Sequence, residues 1–322
     1  MNLGAYPALA VQTQTVAFPA GGRLTLVPNT PVIATDQAAK TVIYYTPDQY
    51  GAFPVIKNGV IRPVYFTDDL KLTMTSAFTG SGIFDLFGIE RGGRGVLVAG
   101  AGWATATAGA GARGTTPGQT EITRVAGMRV NRWGMPGLSA ENATYIEPLE
   151  GRYLGSVLID SSAGQTTCNI DYGQSRKCGL WNADQRRRIT LKVGDPTATW
   201  AYGSGIRQTR SDTTNFASAF CGLAESSIEC VFSQRAASMP ANSIVKCYIG
   251  VDSVSTPSGV SLGSGNPTGA GSSIAAGSIA HHSIPTLLGL SKINMLESGN
   301  GAVNATMAGA EVNCLMTVSY QA

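Results

Sequence analysis

The chain has 322 residues and a formal net charge of +3, with 13% of residues charged and 43% hydrophobic. The charged share is about half the ~25% of ordinary globular chains, and the weak net charge excludes the electrostatic footprint of a nucleic-acid or membrane-surface binder. The 40 glycines, together with abundant Ser, Thr and Ala, leave few of the Glu, Lys, Arg and Gln residues that coat solvated helices, so an all-β chain is expected.

Residues 1–20 are apolar and contain proline without helical periodicity, and are expected to form an extended N-terminal arm. The opening residues lack the basic and long apolar runs of a secretory leader, so synthesis in a cytoplasm is expected. No stretch reaches the roughly 18 apolar residues of a membrane-spanning helix.

Strand signals begin at residues 23–27, which alternate and stop at Pro28-Asn29. Residues 41–46 are β-branched and aromatic, and include Tyr44 and Tyr45. Residues 53–56 run into Lys57-Asn58-Gly59-Val60, whose Asn-Gly pair tolerates positive φ and predicts a hairpin. In the return strand, 61–66, Pro63 argues for an edge. Further strands are predicted at 70–74 and 82–88. The 99–118 tract is rich in Ala and Gly and is read either as a long surface loop or as a strand in a crowded interface. Strands resume at 121–130, 143–146 and 151–159. A helical turn is predicted at 180–187, and strands follow at 188–193, 199–202, 227–233 and 243–251. Residues 252–282 read as a second Gly/Ser-rich loop, with closing strands at 283–297 and 310–320. Short strands at spacings of about 8–12 residues indicate sandwiches or barrels. The expected architecture is therefore two antiparallel β-sandwich or jelly-roll domains, 21–150 and 151–322, behind the arm.

Catalytic motifs are sparse. The sequence contains no HExxH, P-loop or GxSxG, and its two histidines, His281 and His282, sit together in the Gly/Ser-rich region, where a solvated turn is expected of them. Asp68, Asp69, Asp85, Glu90, Glu147 and Glu150 are the carboxylates considered for glycan hydrolysis. Adjacent Asp68 and Asp69 would face opposite sides of a strand, and Asp85 is expected to satisfy a turn. Arg91-Gly92-Gly93-Arg94 reads as a tight basic turn, since one such repeat without interleaved aromatics is a poor RNA motif. Six cysteines lie at 168, 178, 221, 230, 247 and 314. They are read as buried small side chains, with Cys168–Cys178 and Cys221–Cys230 the alternative disulfides after release into an oxidising medium. No CxxC pair supports zinc. Neither a cofactor nor an enzymatic activity is expected.

The ordered blocks from about residue 20 to about 250 resemble a group of bacteriophage and prophage virion proteins. The resemblance starts at residues 22–32 (GRLTLVPNTPV) and 41–47 (TVIYYTP), and continues through 83–87, 152–156 (RYLGS), 178–187 and 195–202. The 99–118 tract, residues 135–142 and the last ~70 residues depart from it. The resemblance implies a tail or neck (collar) fibre or spike subunit that docks on other virion proteins of the portal, adaptor, tail or capsid. Such a subunit would self-associate, as a trimer by analogy, could meet host-surface glycan, and would reside in a virion assembled in the bacterial cytoplasm. The alternative is a capsid-decorating or head-fibre protein. Sparse surface charge independently favours a homo-oligomer. Trp103, set in a small-residue tract without an evident core, is the first candidate for the subunit interface, with Tyr44 and Tyr45.

Overall fold

The computed structural model describes residues 17–138, 145–266, 274–285, 288–300 and 303–322. The expected arm falls largely on residues 1–16, outside them. The described residues are strand and turn, with a 3-10 turn at Thr209–Ser211 and no α-helix. Among them no helix is long and apolar enough to cross a membrane. The chain forms an all-β fold of mainly antiparallel sheets.

Two compact units divide the chain. The first comprises Met1–Ile33, Gln37–Thr167 and Gly179–Arg186; the second comprises Ala34–Asp36, Cys168–Cys178 and Arg187–Ala322. The boundary expected at 150/151 is therefore displaced. Arg152–Leu158 pairs with Ile83–Arg91, Met128–Asn131 and Leu180–Asn182, so cutting before it would split one sheet.

In the first unit, Gly22–Thr25, Val42–Pro47 and Leu70–Thr73 form one sheet. A second sheet orders Arg94–Gly102, Ile83–Arg91, Arg152–Leu158, Met128–Asn131 and Ile122–Val125. Ala52–Lys57 and Val60–Tyr65 form a separate hairpin around Asn58 and Gly59, both at positive φ (50° and 75°). Pro54 and Pro63 face each other there, and a two-stranded ribbon leaves the outer backbone edges on which proline is tolerated. Gly92 and Gly93, at φ 58° and 79°, make the tight turn of the next hairpin. Tyr45, Phe53 and Phe66 cluster in the core, as do Phe87, Tyr153 and Trp181.

The predicted helical turn at 180–187 is instead the strand Leu180–Asn182 followed by a bend. Its polar residues have partners distant in sequence. Asn182 Oδ1 accepts from the Leu24 amide at 2.7 Å, the Ala183 amide donates to the Leu154 carbonyl at 2.9 Å, and Asp184 is paired with Arg152. Tertiary pairing outweighs local helix propensity.

In the second unit, one sheet contains Arg176–Cys178, Phe216–Cys221, Gly289–Ser298 and Ile244–Val251. The other orders Arg188–Val193, Cys314–Gln321, Ile228–Met239, Ile274–Ile284 and Val260–Leu262. Much of the region expected to be a loop at 252–282 is therefore strand. The 258–265 segment joins the two sheets: Ser258 donates to the Ile249 carbonyl, Val260–Leu262 pairs with 279–281, and Ser264–Gly265 pairs with Ile244 and Val245. At the opposite margin, Gly173 donates to the Lys192 carbonyl and Lys192 to the Ile170 carbonyl. Both margins of this sandwich are thus stitched, which leaves little open backbone for unwanted strand addition.

Candidate functional site

The first unit holds a buried ionic knot built on a β-bulge. Pairing of Ile83–Arg91 with Arg94–Gly102 shifts register between Phe84 and Leu86, and such bulges re-aim side chains. Asp85, at that shift, is fully buried within the strand expected there, and it binds side chains rather than satisfying a turn. Arg113 donates to it from Nε at 2.7 Å and from Nη2 at 3.1 Å, and the Ser156 hydroxyl donates to Oδ1 at 2.6 Å. Arg113 Nη2 also donates to the Tyr153 hydroxyl at 2.9 Å. Burial works against the Arg113 charge, but neighbouring Asp85 and Tyr153 outweigh it and hold the guanidinium more basic than usual.

This knot explains Trp103. The Arg113 guanidinium lies 4.4 Å from the centre of the Trp103 ring and 5.1 Å from that of Tyr153. Trp103 is only 8% exposed within the single chain, and its amide donates to the Ile83 carbonyl at 2.8 Å. Tyr45 is 1% exposed, and its hydroxyl accepts from the Gly22 amide at 3.1 Å. An interface built on Trp103 and Tyr45 would find almost no surface, because Arg113 and the aromatic core already cover them. Tyr44, next along the strand, points to the opposite face and is half-buried between Thr25 and Lys71.

Of the remaining candidate carboxylates, Glu90, Glu147 and Glu150 gather around Arg91, where cations and backbone amides hold them. Glu150 pairs with Arg91, Lys57 lies 3.8 Å from both Glu90 and Glu150, and Asp69 accepts from the Asn29 amide at 2.7 Å. Asp68 accepts from the Thr67 hydroxyl at 3.3 Å, and Glu147 is exposed.

The second unit has two further knots. Glu297, fully buried, accepts from Trp200 Nε1 at 2.8 Å, Arg207 Nε at 2.9 Å and the Arg210 amide at 2.8 Å. Burial lifts its carboxyl above the ordinary glutamate range despite those donors. Asp195 accepts from Arg210 Nε at 2.8 Å, Asn215 Nδ2 at 2.7 Å and the Thr197 amide at 2.9 Å. Burial raises its carboxyl, but these donors prevail and hold it below the usual range. Arg207 covers the Tyr202 ring at 3.5 Å, so that aromatic face is occupied by the chain itself.

Cys168 and Cys178 face each other across an antiparallel pair and are disulfide-bonded, the first of the two alternatives above. Cys221 and Cys230 are buried thiols. Burial pushes Cys230 and Cys314 up to about 12 and Cys247 to about 11, suppressing the thiolate needed for nucleophilic chemistry. His281 Nε2 lies 3.4 Å from Glu229 Oε2, while the Ser283 and Ser227 hydroxyls donate to Oε1 of the same carboxylate. The serines thus address the acid rather than the imidazole. Among the described residues, no group of three or more His, Cys, Asp or Glu is placed to hold a metal ion.

Arg113, Glu297 and its arginine partners Arg207 and Arg210 were missed in the sequence. Arg113 had a visible signal, as the only charged residue in the 99–118 tract.

No family model and no curated protein matches the chain. Among solved structures, it is similar to the functional form of the mosquito-larvicidal Cry4Aa toxin from Bacillus thuringiensis, with 10% identity and a TM-score of 0.23. That match covers 93% of this chain and spans about half (51%) of the toxin structure.

Proposed function

We propose that the chain is a non-catalytic structural subunit of a bacteriophage particle, a tail or neck fibre or spike component. The observation carrying this reading is how the buried charges are used. Asp85, Asp195 and Glu297 each have their oxygens occupied by donors from their own unit. Saturated ionic networks fix shape, whereas a working acid or base must be reachable by the proton that it moves. The resemblance of the 20–250 blocks to virion proteins and the low surface charge point the same way. The subunit docks on neighbouring virion proteins and associates with copies of itself, with its loops available to host glycan.

Immunogold labelling of intact particles tests this reading. Label at the tail or neck is the expected result. Label over the whole head, with hundreds of copies by gel densitometry, would move the chain to capsid decoration. Particles that carry none of the protein would overturn the proposal.

A further inference from the structure

An antiparallel sheet with one solvated face ordinarily turns apolar side chains inward and polar ones outward. The second unit's sheet of Arg188–Val193, Cys314–Gln321, Ile228–Met239, Ile274–Ile284 and Val260–Leu262 has a conventional inner face, with Met316 beside Phe232 and Ala280. Its outer face is unusual. Register aligns Thr317, Val231, His281 and Val260 in one cross-strand row, and Leu315, Ser233, Ile279 and Leu262 in the next. Val260 is 70% exposed, Leu262 66%, Ile279 45% and Val231 36%. The exposed apolar residues form a patch interspersed with His281 and Ser233 and bordered by Lys192, which continues the row of Thr317; an exposed apolar patch rimmed by polar residues is the kind of surface that marks an interaction site.

Charge at the borders of this patch identifies the occupant. Along Ile228–Met239 the outward residues are Glu229, Val231, Ser233, Arg235 and Ala237, and the two charges among them, opposite in sign, stand at equal distances either side of position 232. A two-fold axis lying in the interface plane, perpendicular to the strands and level with that position, lays this strand antiparallel across its own copy. Glu229 then faces Arg235 of the second copy, and Arg235 faces Glu229, giving two opposite-charge contacts from one operation. The same axis lays each flanking strand across its own copy, setting Ile279 against His281 and Leu315 against Thr317. Face-to-face sheets pack with their strands within about 30° of each other. The charged residues lie roughly 10 Å from the axis, so that rotation displaces them by about 5 Å, within the reach of an arginine. Among the described residues, Glu229 accepts from Ser227 and Ser283 and lies beside His281, Arg235 donates to Asn313 at 3.3 Å, and both charges remain at the surface. Five strands about 4.8 Å apart and four outward rows about 6.8 Å apart give a footprint of roughly 24 by 27 Å. That is about 650 Å² at most, somewhat under the ~800 Å² per partner of a standard interface.

We propose that this outer face binds the same face of a second copy in a two-fold dimer. The inference rests on the structural-subunit reading and replaces the three-fold contact suggested by analogy with a two-fold one.

Sedimentation velocity on the full chain at roughly 50 µM and neutral pH tests the dimer. The wild type is expected to be a dimer, and Glu229→Arg and Arg235→Glu should each weaken association about tenfold or more. The double exchange Glu229→Arg/Arg235→Glu should restore it, because the two-fold axis returns opposite charges to each contact. Ile279→Lys should abolish it. Circular dichroism and thermal unfolding check that these surface variants retain the fold. A monomeric wild type, single variants that associate normally, or a double exchange no better than its parents would overturn the proposal. Label on the virion together with a monomeric chain would sink the dimer alone; a dimer absent from virions would sink the structural reading alone.

Discussion

Asp85 and Arg113 are the most consequential pair of side chains in the first unit. Both are buried, so removing one strands the other's charge without solvent. Arg113→Ala should cost about 3–5 kcal/mol in urea unfolding. Combining it with Asp85→Ala should cost less than the sum by at least about 1 kcal/mol, because the two residues share one network. In the second unit, Asp195 binds its proton less tightly when folded than when unfolded. Its stabilising contribution is therefore complete above the ordinary aspartate value of about 3.9 and is lost as pH falls through the depressed folded value. Urea midpoints measured from about pH 6 down to about pH 2 should show this acid limb, and Asp195→Asn should flatten it. The flattening should be partial. Asp212 is lowered as well, by bonds from Thr214 that outweigh its burial, helped by Gln174 and the Arg210 charge.

At the scale of elements, two close constraints set strand geometry. Gly155 sits where pairing between Arg152–Leu158 and Ile83–Arg91 shifts register, and a Cβ there would lie 2.1 Å from the Trp181 carbonyl oxygen. Gly155→Ala should therefore push Leu180–Asn182 off the sheet, costing about 1–3 kcal/mol with loss of Trp181 burial, measurable by fluorescence and thermal unfolding. The glycine of the RYLGS block is required for close approach between backbones. The second constraint is the Cys168–Cys178 bond, which spans a separation of 10 residues. Asp36 also holds this hairpin, accepting from the Ile170 and Asp171 amides at 2.7 and 2.9 Å and from Arg176 at 2.8 Å. The Cys168→Ser/Cys178→Ser variant should keep the fold and lose roughly 2.5–3 kcal/mol, the chain-entropy value for a loop of that length. Reductant should lower the wild-type melting temperature and leave the double variant unchanged.

For the whole molecule, composition and local pattern determined the fold class. Few charges and many Gly, Thr and β-branched residues leave short strands as the economical structure, and turns such as Asn58-Gly59 and Gly92-Gly93 carry their backbone requirement in their own residues. Tertiary structure decided what local pattern cannot encode. It took residues 180–187 out of a helical turn, because Asn182 and Asp184 found partners at Leu24 and Arg152. It drew much of the 252–282 region into strands, because that segment closes a gap between two sheets. It covered Trp103 with an arginine ten residues away, and it chose Cys168–Cys178 over Cys221–Cys230 by setting the first pair opposite each other. The apolar outer face belongs to the same class. Val231, Ile279 and Leu262 form one patch only after three strands align in register. Periodicity along a chain specifies which side of a strand is apolar, but which strands stand beside it is settled by long-range hydrogen bonding and burial.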